Sequence, residues 1–264
     1  MAGTMLPPDT IHPKANPAKK WFLLILFALI IVTGLIIAAY YFTHNDKMGV
    51  TVIRMEGTMV TGLESGADII GSEVVGGKLR DAADDPMVEA IVLRVNSPGG
   101  TPAAAQEIIR DLDYARSKKP VVVSMGDLAT SAAYYVSVHA DRIYANPDTF
   151  TAGVGVIWKF TDISRFNENE GFNISTIKSG SKKDMGSTSR PITEEEQIYA
   201  QKVVNDSFEN FISDVISHRA IARSEIDDGR VIRGADAVRL NVVDEIGNLN
   251  DAIIGAKKIA ESRH

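Results

Sequence analysis

The sequence contains no cysteine among its 264 residues. That excludes a disulfide framework, thiolate metal sites and a cysteine nucleophile. Histidine is nearly as scarce, with only His12, His44, His139, His218 and His264. Basic charge is also short, 28 Lys and Arg against 34 Asp and Glu. No basic stripe is available for nucleic acid, which is discarded as a partner. Long apolar runs are missing too, with one exception at Trp21–Phe42. A multi-pass transporter or channel is therefore excluded, and the single run excludes a fully soluble cytoplasmic protein.

The run is 22 residues long and carries no charge. As a helix it spans about 33 Å, which matches the hydrocarbon core of a bilayer. A signal peptide has a shorter apolar region, roughly 7–15 residues, followed by a small-x-small cleavage site. Here the run ends in Ala38-Ala39-Tyr40-Tyr41-Phe42, with aromatics where an interfacial belt would sit. A retained anchor is the expectation, with cleavage near Ala39 left open. The preceding tail carries Lys14, Lys19 and Lys20 against Asp9. The positive-inside rule then places residues 1–20 in the cytoplasm, a transmembrane helix at 21–42, and residues 43–264 on the far side of the cell (inner) membrane. Of the 28 basic residues 25 follow the span, against 33 of the 34 acidic ones, a net charge of −8 for the exported region.

Beyond Gly49, Val50–Met55, Ala90–Val95 and Val121–Met125 read as short buried strands. Between the second and third, Ala104, Ile108, Ile109, Leu112 and Ala115 recur at helical spacing over Pro102–Ser117, and Lys118-Lys119-Pro120 closes the helix. Strand, helix, strand in so few residues is a βαβ crossover, which implies a mainly parallel sheet. The exported region reads as a single α/β domain. Thr193 and Glu196 form a capping-box start to a long helix reaching about His218. Ala235–Leu240 reads as a short helix ending at Asn241, Val242–Ile246 as a strand, and Asn250–Glu261 as a terminal helix.

Three segments could carry chemistry. Asn96-Ser97-Pro98-Gly99-Gly100 follows a buried strand, and its glycines can turn the backbone so that N–H groups face a developing oxyanion; a plain strand-to-helix turn is the alternative. Gly126–Tyr135 also follows a buried strand and puts Ser131 at the start of a helix of small residues. That place suits a nucleophile at the carboxyl end of a parallel sheet, and equally an N-cap serine. Lys178–Ser187 contains Lys178, Lys182 and Lys183, and by itself reads as solvated surface. A serine nucleophile needs a base. His12 lies before the membrane span, His44 is juxtamembrane and His264 is terminal; His139, eight residues beyond Ser131, would be about 12 Å away along one helix. His218 stays open, but a lysine whose pKa is lowered by burial is the better fit. No metal cluster or phosphate-binding motif calls for a cofactor, and none is expected.

Taken in order, these segments resemble the signal peptide peptidase A family, the membrane-anchored Ser–Lys peptidases of family S49. The similarity runs from about Val50 to Ala260 and includes Asp141–Pro147, Thr151–Ile157 and Ala237–Gly247. It implies the short single-unit form of the family, a Clp-protease/crotonase-like fold, and a homo-oligomeric ring with an enclosed cavity. Residue by residue it implies Ser131 as nucleophile and Lys183 as general base, with Lys182 as competitor. The oxyanion hole would come from the N–H groups of Gly100 (or Gly99) and Ala132. Implied substrates are apolar exported or membrane-released peptides, such as cleaved signal peptides. The alternatives are a catalytically weak or inactive ring-forming membrane scaffold and a protease dedicated to one membrane-protein partner. Two departures stand out: Ala132-Ala133 replaces the usual Gly-Gly after the serine, and Ala152-Gly153 replaces Gly-Ser before a later Gly-Val strand.

Overall fold

A computed structural model describes residues 17–44 and 49–263. The chain divides into two units, Met1–Lys47 and Met48–His264. The first contains α1 (Pro17–His44). Its stretch Lys20–Tyr40 has a mean hydropathy of 3.1 and lies wholly unburied, and among the described residues it is the sole helix long and apolar enough to cross a membrane. Its single hydroxyl in that stretch outside the tyrosine, Thr33, donates to the Leu29 carbonyl at 2.7 Å, which satisfies the group within the helix itself.

The second unit runs β1 (Val50–Glu56), β2 (Thr58–Val60), β3 (Ile69–Gly71), α2 (Ser72–Asp84), β4 (Ala90–Ser97), α3 (Pro102–Lys118), β5 (Val121–Thr130), α4 (Ala132–Ser137), β6 (Arg142–Ala145), β7 (Phe150–Ala152), α5 (Ser164–Asn169), α6 (Glu194–His218), β8 (Val231–Arg233), α7 (Gly234–Arg239), β9 (Glu245–Ile246) and α8 (Leu249–Arg263). Strands β1-β4-β5-β6-β9 pair in parallel in that order. The expected crossover is present: α3 carries the chain from β4 to its parallel neighbour β5. Helix α3 is capped by the Thr101 side chain, which accepts from the Ala104 N–H, with Pro102 in its first turn. In β4 seven of the residues are buried or half-buried, as befits a strand covered on both faces. One face carries the main core, which includes Leu79 of α2, Ile108 and Leu112 of α3, Tyr134 of α4 and Phe211, Ile212 and Val215 of α6. Ala252, Ala256 and Ala260 of α8 pack on Ala90, Val92, Val122 and Tyr144 on the other face.

Four elements differ from the sequence-based expectation. Strand β1 is not buried throughout but alternates, with Ile53 and Met55 buried and Val52 and Arg54 exposed, as in a strand with one face toward solvent. Strand β5 does not stop at Met125 but continues to Thr130 after a register shift against β4. At the shift, the Asn96 side chain accepts from the Leu128 N–H at 3.1 Å and Thr149 donates to the Gly126 carbonyl at 2.6 Å, replacing lost ladder bonds. The continuation, Leu128–Thr130, pairs with β7. The strand expected at Val242–Ile246 shrinks to Glu245–Ile246, because the Val242 and Val243 N–H groups both turn back to the Ala237 carbonyl at the end of α7. No Gly-Val strand follows Ala152-Gly153: Ala152 (φ 62°) and Gly153 (φ 63°) both turn left-handed, and β7 ends there.

Candidate active site

Ser131 sits where β5 hands over to α4, at φ 54° and ψ −127°. This is a strained conformation for a residue with a side chain, of the sort kept where a nucleophile must stand clear of a strand-to-helix turn. The strain is held from both sides. The Ser131 N–H donates to the Ala152 carbonyl at 2.8 Å, and the preceding Thr130 hydroxyl donates to the Pro98 carbonyl at 3.1 Å. Ser131 is half-buried and begins a helix whose own N–H groups favour negative charge nearby.

The loop after β4 lies directly against it. Gly99 has φ 103°, and a Cβ there would stand 2.9 Å from the Ala132 nitrogen, the Ser131 Cβ and the Thr130 carbonyl oxygen. A Cβ on Gly100 would stand 2.0 Å from the Met59 carbonyl oxygen. Only glycine permits this approach at either position. The buried Ser97 hydroxyl accepts the Gly99 N–H at 3.1 Å. Gly99 therefore spends its donor inside the loop. Exposed Gly100 and Ala132, the first residue of α4, line the same cavity as Ser131, and their N–H groups have no acceptor among the described residues.

Ser131 opens into two cavities. One, of about 100 Å³, is walled by Ala132, Tyr135, Val156, Ile157 and Phe211 and edged by Gly100 and Gln106. The other, of about 590 Å³, is a broader groove bounded by Gly153–Ile157, Val204, Phe208, Asp227, Asp228 and Val231. Chemically, the arrangement offers a hydroxyl, two free backbone donors beside it, and apolar walls for a side chain on one hand with room for an extended chain on the other.

The lysine loop is placed differently. Lys183 lies on the turn 181–186, is exposed, and lines neither cavity around Ser131. The other two lysines are engaged: Lys182 pairs with Glu195 and Lys178 with Asp184. Lys183 alone of the three has no ion-pair partner among the described residues. The turn is anchored by a network of which the sequence shows only the capping box. Arg190 holds Asp184 through Nε at 2.9 Å and Nη2 at 2.8 Å, and holds buried Glu196 through Nη1 at 2.9 Å and Nη2 at 2.6 Å. Arg190 and Lys178 together hold the Asp184 carboxyl well below its ordinary range. Arg190, with the Thr193 N–H, pulls Glu196 down to about 2. His218, left open by the sequence, lines neither Ser131 cavity; it stacks on His139 at 4.1 Å between ring centres.

Known proteins share this chain's sequence and architecture. The model of peptidase family S49 matches residues 114–263. Protease 4 of Haemophilus influenzae is 34% identical over 227 residues, 83% of this chain and 36% of that protein. The chloroplastic serine protease SPPA of Arabidopsis thaliana is 29% identical over 218 residues, 81% of this chain and 32% of its own length. The chain thus spans about a third of each of these two relatives. Among solved structures, the 1510-N membrane-bound stomatin-specific protease, as its S97A mutant, superposes with a TM-score of 0.52 at 17% identity, covering 78% of this chain and 83% of its own. That likeness concerns the fold, which is the Clp-protease-like parallel α/β architecture expected from the motifs. With more than half its length matched by the family model, the chain belongs to peptidase family S49, the signal peptide peptidase A family.

Proposed function

We propose that this protein is a membrane-anchored serine endopeptidase that cuts exported or membrane-released peptides, spent signal peptides among them. The observation that carries the reading is the strained Ser131 sharing a cavity with Gly100 and Ala132, whose N–H groups have no acceptor among the described residues. Ser131 Oγ attacks the peptide carbonyl, the two N–H groups take up the oxyanion, and a lysine removes the hydroxyl proton and returns it to the leaving amine. Water then hydrolyses the acyl-enzyme. The cavity of about 100 Å³ beside Ser131 is smaller than the ~150 Å³ that admits a benzene ring, so a short aliphatic side chain fits there. Apolar substrates match a site tethered to a bilayer by α1, with the amino terminus cytoplasmic and the second unit extracytoplasmic.

Lys183 is the base. It is the unpaired lysine of its loop, and a lysine works as a base only where it is desolvated. In the single chain it is exposed, so a second copy supplies the cover, and the site is completed between neighbours of a homo-oligomeric ring. Seven large apolar side chains exposed between Ile157 and Ile177 support such an assembly, Ile177 being wholly exposed and Ile157 79% so.

The test is cleavage of an internally quenched apolar peptide by the full chain in detergent. Ser131→Ala and Lys183→Ala are expected to lose activity by roughly three orders of magnitude, with Lys182→Ala close to wild type. Activity persisting in Ser131→Ala would remove the nucleophile assignment. An inert wild type that still forms rings would favour a scaffold.

A further inference from the structure

On the flank of the domain that carries α4 and α6, four side chains from three regions of the chain converge. His139, two residues past the end of α4, is buried. Its Nδ1 lies 3.2 Å from the Asp113 carboxylate of α3 and its Nε2 lies 3.1 Å from the Asp214 carboxylate of α6. One helical turn beyond Asp214, His218 Nδ1 lies 3.1 Å from the other Asp214 oxygen and 2.9 Å from the Asp214 main-chain carbonyl. One ligand atom from each of His139, Asp214 and His218 falls within 4.8 Å of the others.

A neutral imidazole has one N–H to give, and here a carboxylate waits at each of its two nitrogens. The Asp113 contact uses Nδ1. Nε2 then faces a carboxylate across 3.1 Å, and that contact is favourable only with a cation between them. A proton satisfies two groups. This site brings a third, His218, spaced i to i+4 from Asp214 so that both side chains share one face of α6. Three ligands of N, O and N type suit a tetrahedral zinc at roughly 2.0–2.2 Å per bond, whose ligand atoms stand about 3.3 Å apart; the His139–Asp214 contact of 3.1 Å is close to that, and all three ligand atoms lie within 4.8 Å of one another. Asp113 behind His139 is the outer carboxylate that orients a metal-bound imidazole and fixes its tautomer. The two aspartates also balance the charge of a divalent ion.

We infer that His139, Asp214 and His218 form a binding site for a divalent transition metal of the zinc type, with Asp113 as its outer-shell carboxylate and solvent at the fourth position beside His218. The site ties the end of the nucleophile-bearing helix to α6. Tyr135 and Phe211, one turn earlier on those two helices, stack at 4.6 Å and wall the small cavity at Ser131. The metal is thus a clamp behind the cavity wall, and its existence does not depend on the peptidase reading.

The test uses the full chain in detergent, stripped with a chelator and titrated with zinc sulfate alone against a chromophoric competitor. One equivalent per chain is expected, together with a higher melting temperature. His218→Gln, at an exposed position, should weaken zinc at least about tenfold without moving the metal-free melting temperature, and Asp113→Asn should weaken it by roughly 10–100-fold. His12, His44 and His264 remain in both variants as an internal control. Absence of stoichiometric uptake by wild type, or uptake unchanged in both His218→Gln and Asp113→Asn, overturns the site.

Discussion

At the scale of single residues, the chemistry around Ser131 depends on how closely two backbones approach. Gly99 is pinned between its own left-handed φ and the Ser131–Ala132 backbone, where a Cβ would meet three atoms at 2.9 Å. Gly99→Ala must therefore push the loop outward and carry the Gly100 N–H away from the oxyanion position. Loss of one such donor costs about 10²–10³-fold in kcat. We expect kcat for the quenched peptide to fall by about 10²-fold in Gly99→Ala, with secondary structure by circular dichroism unchanged; retention of full activity would mean that the Gly100 donor is not used. The sequence could place Ser131 and the Gly99-Gly100 pair after buried strands, but position alone left a plain turn and an N-cap serine open; the close approach of the two segments is seen only in the fold. What could not be read was which donor is free. That depends on the Ser97 hydroxyl taking the Gly99 N–H, a contact two residues apart that spacing does not reveal. The His139, Asp214 and His218 trio escaped for a related reason: His139 and Asp214 lie 75 residues apart, and only packing of α4 against α6 joins them.

At the scale of elements, the lysine loop owes its shape to α6. The capping box of Thr193 and Glu196 was visible in the sequence and is present as read. Its Glu196 also receives Arg190, which reaches Asp184 next to Lys183. The helix start and the loop are one charged unit. Both carboxyls titrate lower in the folded protein than in the unfolded chain, so their contribution is complete above the ordinary carboxyl range. As pH falls, the unfolded state takes up protons first, and the stability is lost from about 4.5 down through the folded value near 2 for Glu196. Removing the guanidinium in Arg190→Met brings the folded values back toward the ordinary ones. We expect a lower melting temperature at pH 7 and a shallower decline between pH 4.5 and 2 than in wild type, followed by thermal melts across that range. Parallel declines in both proteins would show that Arg190 does not govern these carboxyls. Strands fared less evenly than this helix. β4 and the first half of β5 stood out as mostly apolar buried runs and β1 by its β-branched residues, although β1 alternates between buried and exposed positions, whereas β2, β3, β7 and β8 have three residues each, too few for any periodicity. The second half of β5 was hidden because a side chain, Asn96, stands in for the missing ladder.

For the molecule as a whole, the decisive relation is between Ser131 and Lys183. The first lies in a well-packed region between two cavities, and the second on an exposed turn that lines neither. A chain that completes its own site would have to fold the turn inward, against the Arg190 tether. The proposed ring would need no such movement, because a heterologous head-to-tail contact would present the turn of one copy to the serine of the next. The apolar side chains on the same segment, Trp158, Phe166 and Phe172 among them, would be buried in that contact. The two arrangements differ in what happens when inactive chains are mixed. Ser131→Ala retains its lysine and Lys183→Ala retains its serine, so a contact between the two kinds restores one intact site only if the dyad crosses the interface. Co-expressed in equal amounts, with random order around the ring, roughly a quarter of the contacts have the productive orientation. The mixed preparation should then recover about a quarter of wild-type activity, while each variant alone stays inert. A mixed ring that forms, as judged by differently tagged copies purifying together, yet shows no recovery would place serine and lysine in one chain and require the lysine loop to close within it.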